Sequence, residues 1–560
     1  MHRSPTTLTT APATPADLRR TLWRWTLVLL ALGLLWRVVR YAMRFPFWGD
    51  EAYLNTSFLY RDFRGLLEPL EYFQVAPLLY LWGQRVCYLL GGGGEYALRF
   101  QSLVAGVVAL LLFVPLAWRL LGPRAAAIAV GVFGGSYFVV RYATESKQYS
   151  GELLASVVML WLAAEWLRRP HDVRFALASC LAVIPALWLS FPAAFVAGGI
   201  SLTLFVVCLR HPSRPAWLGW LGFNLATGAS FITYYIVYLY VHSTQKVGTW
   251  LEDWWDGAYP PLAAFTGAAG PADLLRAAGE LGWWLVTIHT GKMLAFPQGG
   301  DHFQSSLTAV LCVIGALALW RAGQRGLALL LVSALPVMFV AAALHRYPYG
   351  GSERTMLFYV PAICLLWGAG AAKVIDEWLP LTWRDRVGGG LGLVLLLFPA
   401  LGALRDVVEP YKNVGYALAR ATTAEAAALP QPGDRVVAFN TEFRFDREYV
   451  PPEVVAKFGD ARVFKNYRGE GSPFGPVLYE SIRYYFELYS GARLGWRERG
   501  ELDATTDWVL AYSGRDFGPQ RALIDERIKA AGLRIVSEHM FRFVPNRPEH
   551  LLLLRCAPAD

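Results

Sequence analysis

Two neighbouring carboxylates, Asp50 and Glu51 in the segment Phe45-Pro-Phe-Trp-Gly-Asp50-Glu51-Ala-Tyr53, follow the first hydrophobic stretch where it should leave a membrane. Acids at such an interface can take a proton from an acceptor hydroxyl. Three further ionisable groups fall near predicted span ends: Tyr142-Ala-Thr-Glu145-Ser-Lys147-Gln-Tyr149, His345-Arg346 with Glu353-Arg354, and Arg37 with Arg40. Charged groups at membrane depth are costly to bury, so each calls for a partner or a role. Taken singly, each also has a plainer reading. Asp50 and Glu51 suit the first turn of a helix, and Lys147, Arg354, Arg37 and Arg40 can snorkel to headgroups, the last two most of all. Gathered on one face of a membrane, two carboxylates, a Lys and several Arg can activate a hydroxyl and hold a phosphate.

The rest of the chain must bring those residues to one face. Of 560 residues, 55% are hydrophobic and only 17% charged, with 22 Trp and 27 Tyr, the composition of a polytopic membrane protein. Apolar runs of spanning length recur at Leu22–Ala42, Ser102–Leu121, Ala125–Val140, Ser150–Leu167, Phe175–Leu189, Ala193–Leu209, Ala216–Val241, Ser305–Trp320, Gly326–Leu344, Thr355–Ala372 and Val387–Leu404. That makes eleven predicted spans. The uncharged stretch Phe175–Leu209 is divided at Ser190-Phe-Pro192. Under this count Arg19/Arg20/Arg24, Arg124, Arg168/Arg169/Arg174, Arg210/Arg214, Arg321/Arg325 and Lys373/Arg384/Arg386 share one side, which the positive-inside rule assigns to the cytoplasm. Asp50, the loop 242–304 and everything after Arg405 then lie outside.

Residues 1–21 read as a disordered cytoplasmic N-terminus, rich in Thr, Pro and Ala, and the first apolar segment as a retained anchor. Residues 22–404 form the transmembrane domain. Its outer loop 44–101, about sixty residues, is too long for a simple connection. It is expected to be a structured lid with helices at Ala52–Leu67 and Pro77–Leu90, ended by Gly91-Gly-Gly-Gly94 as a flexible linker. That tetraglycine lacks the strand and the Lys-Ser/Thr of a phosphate-binding loop. The outer loop 242–304 carries Trp250, Trp254, Trp255, Trp283 and Trp284, expected as interfacial anchors with sugar stacking as the alternative. Beyond Arg405 charge rises and apolar runs shrink to strand length. Residues 405–560 read as a soluble extracytoplasmic α/β domain with strands at Arg435–Phe439, Trp508–Tyr512 and Leu551–Leu554, and helices at Val477–Tyr489 and Pro519–Ala531.

Six scattered cysteines form no CxxC pair and read as apolar core residues. The net charge of +9 comes mostly from the cytoplasmic loops, and no basic stripe with interleaved aromatics points to nucleic acid. Asp50, Glu51, His289 and His302 show no metal-ligand spacing, so no metal or other cofactor is expected.

The arrangement resembles the polytopic glycosyltransferases of the GT-C class, in particular the PMT-like group (glycosyltransferase family 39) that includes protein O-mannosyltransferases and the lipid A aminoarabinose transferase. The pieces that carry the resemblance are the Asp50-Glu51 pair, Val75-Ala-Pro77-Leu-Leu-Tyr80 for the group's Pro-x-x-Tyr, Tyr96-Ala-Leu-Arg99-Phe, Glu145-Ser-Lys147-Gln-Tyr149 for its Glu-x-Arg/Lys-x-Tyr, and Arg354-Thr-Met-Leu-Phe-Tyr-Val-Pro361. The resemblance implies a sugar donor on a polyprenyl phosphate, needing no nucleotide, and an acceptor glycan, lipid or protein presented from the outer face of a bacterial inner membrane. It implies that Asp50 is the general base and Glu51 its support. Lys147 and Arg354 would hold the leaving phosphate with Tyr149, Glu145 would position Lys147, and Tyr53, Tyr80, His345 and Arg346 would contact acceptor or sugar. A single displacement at the anomeric carbon would invert it. Lys147 stands where many relatives have Arg, and it holds phosphate as a point charge rather than a fork. A lipid-linked sugar transporter or flippase and a non-catalytic envelope-assembly scaffold are the alternatives. The absence of an internal repeat and the gathering of charge at the outer edge speak against the first.

Overall fold

The computed structural model of the chain describes residues 15–70, 74–240, 255–408, 413–431, 433–440, 477–491, 502–513, 517–542 and 550–559. In the membrane domain the helices run α1 (Pro15–Ala42), α2 (Gly49–Tyr60), α3 (Leu78–Gly91), α4 (Glu95–Leu120), α5 (Pro123–Gly135), α6 (Tyr137–Tyr142), α7 (Tyr149–Arg168), α8 (Val173–Leu189), α9 (Ala193–Arg210) and α10 (Arg214–Tyr234). They continue as α11 (Pro271–Thr290), α12 (Ser306–Arg321), α13 (Arg325–Val332), α14 (Ala334–Ala343), α15 (Val360–Lys373, entered through a 3-10 turn at Arg354–Tyr359) and α16 (Leu381–Val408). Among the described residues all eleven apolar segments are mainly helical, with breaks at Ser136 and Ser333. Seven of the helical stretches are long and apolar enough to cross a membrane, and the chain is built as a multi-pass membrane protein.

Two boundaries depart from the sequence reading. Helix α1 begins at Pro15, so the last part of the segment expected to be disordered is helical, while residues 1–14 lie outside the described residues. Helix α11 occupies a stretch expected to be loop, because Asp273, Arg276 and Glu280 lower its hydropathy without breaking its helical pattern. Trp250 and Trp254 lie outside the described residues.

At the centre stands the segment Arg354–Trp378, whose apolar window is wholly buried. It is held by small residues. Helix α15 crosses α12 so closely that a Cβ on Gly370 or Gly315 would strike the backbone carbonyl of Leu311 or Leu366, the close approach that packs helices in lipid. This placement fixes Arg354 at the entrance of the most buried helix.

Among the described residues the loop 44–101 is structured, but the helix expected at Ala52–Leu67 runs Gly49–Tyr60 and is followed by a separate 3-10 turn at Gly65–Leu67. Helices α2 and α3 close over a core of Phe47, Leu54, Phe58, Leu66, Leu78, Tyr80 and Leu81 that also takes in Tyr234 and Tyr238. Helix α2 starts after Trp48, whose amide donates to Glu51 Oε2 at 3.4 Å, with both acids in its first turn where the helix dipole favours them. Helix α3 stops where Gly92 adopts φ +74.

The C-terminal region contains α17 (Asn413–Ala427), β1 (Val436–Asn440), α18 (Val477–Ser490), β2 (Trp508–Ser513), α19 (Phe517–Ala530), β3 (Leu533–Arg542) and β4 (His550–Pro558). The sheet order is β1-β2-β4-β3, with β1 and β2 parallel and the other pairs antiparallel. Alternation divides its faces. Trp508, Leu510, Leu551 and Leu553 pack with Ala419, Ala426, Ile482 and Phe486. Val509, Ala511, Leu552 and Leu554 pack with Ile524 and Ile528. All six cysteines are free.

Candidate active site

Helix α2, the turn before α7 and the entrance to the central helix meet at Asp50. Its Oδ1 lies 3.2 Å from Lys147 Nζ, and its Oδ2 accepts a 2.9 Å hydrogen bond from Arg354 Nη1. The three residues are 97 and 304 positions from one another along the chain, counted from Asp50, and the fold brings them together. Burial pushes the Asp50 carboxyl up, but the Lys147 ammonium and the Arg354 guanidinium outweigh it and hold the group below the usual carboxylate range. With its side chain 21% exposed, Asp50 is the most accessible member except Arg354 at 22%. Lys147 is only 5% exposed and also donates to Gln74 Oε1 at 2.8 Å. Arg354 lies over the Trp255 ring at 5.4 Å, so one tryptophan of the long outer loop touches the site. Tyr149, half-buried at the start of α7, packs edge-on against Tyr142 at 5.0 Å and stands in the field of Arg354 and Asp50.

Glu51 points elsewhere. Its side chain is fully buried, and Arg99 of α4 grips it with two hydrogen bonds, Nε to Oε1 at 2.8 Å and Nη2 to Oε2 at 2.6 Å. Ser146 N donates to Glu51 Oε1 at 2.6 Å, so this pair ties α2 and α4 to the turn that carries Lys147. Arg99 also donates to the carbonyls of Phe45 and Pro46. Ser146 Oγ in turn donates to Asn55 Oδ1 at 2.7 Å.

Glu145 accepts from the Lys147 amide at 2.8 Å through its backbone carbonyl, but its side chain does not reach the Lys147 ammonium. It is buried against Arg141, four residues back, at 2.6 Å, and Lys147 instead turns to Asp50 and Gln74. Tyr80 is 1% exposed inside the lid, where Gln84 donates to its hydroxyl. His345 and Arg346 are exposed, with the His345 ring stacked on Tyr259 at 4.6 Å, away from the Asp50 cluster. Tyr53 sits half-buried three residues after Asp50, on the same side of α2. His289 lies within 3.2 Å of the Tyr349 hydroxyl, and no group of His, Cys, Asp and Glu among the described residues is arranged to hold a metal.

Arg37 and Arg40 do not snorkel. Arg40 is 4% exposed, forms an ion pair with Asp406 at the end of α16, and donates to Thr144 Oγ1 at 3.0 Å. Arg37 is fully buried and donates to the carbonyls of Gly33 and Gly134. Asp406 is the partner that sequence order hides, because it lies 366 residues away.

A second set of contacts holds the loop before Asp50 from the C-terminal region. Tyr485 OH of α18 accepts from Phe47 N at 2.7 Å and donates to Glu95 Oε1 at 2.6 Å. Ser481 Oγ donates to Phe47 O at 2.9 Å. The Phe47 ring lies edge-on to Tyr484 at 5.3 Å and stacks on Tyr485 at 6.1 Å, with Arg99 over it at 4.9 Å. Arg420 of α17 and Arg44 both pair with Glu95. The amphipathic pattern of Val477–Ser490 marked α18 as a helix, but nothing in it named the surface it covers.

This architecture, a bundle of membrane helices with a lid after the first and a trailing α/β region, has counterparts among solved structures. Among solved structures the chain is similar to ArnT from Cupriavidus metallidurans: bound to undecaprenyl phosphate it aligns with a TM-score of 0.54 and 13% identity over 95% of this chain and 98% of that one. The apo state of the same protein gives 0.53 and 12% over the same shares. At that identity the likeness establishes the fold. No family model matches the sequence, and no curated protein does.

Proposed function

We propose that the chain is an inverting glycosyltransferase that moves a sugar from a polyprenyl phosphate to an acceptor on the extracytoplasmic face of a bacterial inner membrane. The observation that carries this reading is the bridging of one accessible carboxylate, Asp50, between two cations, Lys147 and Arg354. At rest the cations are occupied by Asp50. A donor phosphate competes for them, and as they turn to it the carboxylate is released and becomes a stronger base. Asp50 then accepts the proton of an acceptor hydroxyl or amine while the acceptor's oxygen or nitrogen attacks the anomeric carbon. The bond to the phosphate oxygen breaks on the opposite face, and Lys147 and Arg354 stabilise the charge left on the polyprenyl phosphate. The basic loops give the orientation, with the N-terminus in the cytoplasm and the C-terminal domain outside. Glu51 is assigned to holding the site's loops together, Tyr149 to the donor side and Tyr53 to the acceptor side. The undecaprenyl phosphate in the similar ArnT structure supports the donor class.

The test is a transfer assay in liposomes with purified protein, radiolabelled polyprenyl-phosphate sugars and a cell-envelope extract. Label leaving the lipid for an acceptor is the expected result. Intact labelled lipid crossing the bilayer with no transfer would make the chain a carrier instead.

Donor affinity gives a second check. Arg354→Ala or Lys147→Ala should each remove a charged hydrogen bond of about 1.5–3 kcal/mol, weakening undecaprenyl phosphate binding by about 10- to 150-fold. Binding to the purified variants by scintillation proximity reads this directly, and affinities within twofold of wild type would remove both residues from the phosphate site.

A further inference from the structure

One acid in the membrane domain is left without use. Glu152, on α7, is 3% exposed, yet its carboxylate makes no hydrogen bond or ion pair among the described residues. Every other acid buried around the site has a cation: Glu51 has Arg99, Glu145 has Arg141, and Glu95 has Arg44 and Arg420. An ionisable group kept at membrane depth without a partner is expensive, and such residues mark places where something else completes the site.

Its surroundings say what that is. Glu152 lies one turn after Tyr149 and on the same face of α7. Tyr149 is within electrostatic reach of Glu152, Asp50 and Arg354. Tyr347 is likewise within electrostatic reach of Glu152, Tyr149 and Arg354, and its hydroxyl donates to Thr355 O at 3.0 Å, which fixes it beside the Arg354 turn. That turn packs directly on α7. Glu152, Tyr149 and Tyr347 are therefore gathered where α7 packs on the turn that carries Arg354.

We infer that Glu152, with Tyr149 and Tyr347, is the subsite for the donor's glycosyl group, its carboxylate accepting hydrogen bonds from sugar hydroxyls while the rings pack on the sugar. A carboxylate can accept from two neighbouring hydroxyls at once, and aromatic rings beside it offer the apolar faces that pyranose C–H groups need. The inference rests on the lipid-phosphate reading above and adds where the sugar goes.

The experiment compares bare undecaprenyl phosphate with undecaprenyl phosphoglucose, phosphomannose and phosphogalactose, binding each to the full-length purified chain. In wild type at least one sugar should tighten binding about tenfold over the bare lipid, the scale of a hydrogen bond to a charged group. Glu152→Gln should bind the bare lipid within twofold of wild type and lose most of that increment. Glu152→Asp, which keeps the charge but withdraws it by one methylene, should lose part of it, and it serves if the Gln variant does not fold. An increment that survives both substitutions, or no increment in wild type with any of the three sugars, overturns the subsite. Wild type that ignores the bare lipid overturns the lipid-phosphate reading itself, and the subsite with it.

Discussion

Asp50→Asn should reduce sugar transfer by about 10²- to 10⁴-fold, the contribution of a positioned general base, while lipid-phosphate binding stays intact or tightens. The second half of that expectation follows from the resting contacts. Asp50 now occupies Lys147 and Arg354, so removing its charge frees both cations for the phosphate. The two readouts therefore move in opposite directions, which a merely unfolded variant cannot imitate. Wild-type turnover in Asp50→Asn would remove it as the base. The pH dependence carries the same logic. Because the cations hold the carboxyl below its usual value, Asp50 is ionised in the free protein throughout the pH range where an ordinary aspartate is. Its pairing stabilises the fold fully above the ordinary carboxyl pKa and is lost as pH falls through the lowered one. Once a donor phosphate draws Lys147 and Arg354 away, the carboxyl rises. The acid limb of kcat, which reports the loaded complex, should thus lie at higher pH than that of kcat/KM, which reports the free protein. Coincident limbs would mean that the phosphate does not compete with Asp50.

Arg99→Ala should be the most destabilising single substitution around the site. It leaves the fully buried Glu51 carboxylate unpaired, a loss of about 3–5 kcal/mol, and strips donors from the carbonyls of Phe45 and Pro46. The double variant Glu51→Leu with Arg99→Met should unfold at higher temperature than Arg99→Ala, because no charge is stranded. Melting in detergent measures both. A double variant that folds and transfers sugar would confine Glu51 to structure. One that folds, keeps Asp50 and is inert would return Glu51 to the chemistry.

The contrast between the two acids shows what the sequence could and could not say. The DE pair was legible as a site, but the two residues were read as partners. They fall in the first turn of α2, and consecutive helical residues diverge by about 100° around the axis, so one could face the opening only if the other turned inward. The helices under the eleven expected spans were legible because lipid demands long apolar runs, although among the described residues seven helical stretches are long and apolar enough to cross. Helix α11 was not, since its charges hide its length from a hydropathy reading. Strand β3 was missed for a related reason: its exposure alternates along Leu533–Arg542, and the polar half of that pattern masks the apolar half. The partners of Arg37, Arg40 and Glu145 depended on side-chain direction. The Arg40–Asp406 contact joins the first and last membrane helices, and no local pattern predicts it.

The grip of α18 on Phe47 also sets an order of events. Phe47 and Tyr485 are 438 residues apart, and a ribosome making roughly 5–20 residues per second leaves roughly 20–90 s between them. During that interval Asp50 is already threaded into place, with its lid helices made and the last membrane helices still to come. The loop before it is then held only from its own side, by Arg99 on the carbonyls of Phe45 and Pro46. A chain released early, even with every membrane helix inserted, lacks the hydroxyls of Ser481 and Tyr485 that fix Phe47. The hold on the Phe47 loop is thus completed only when the last part of the chain is made.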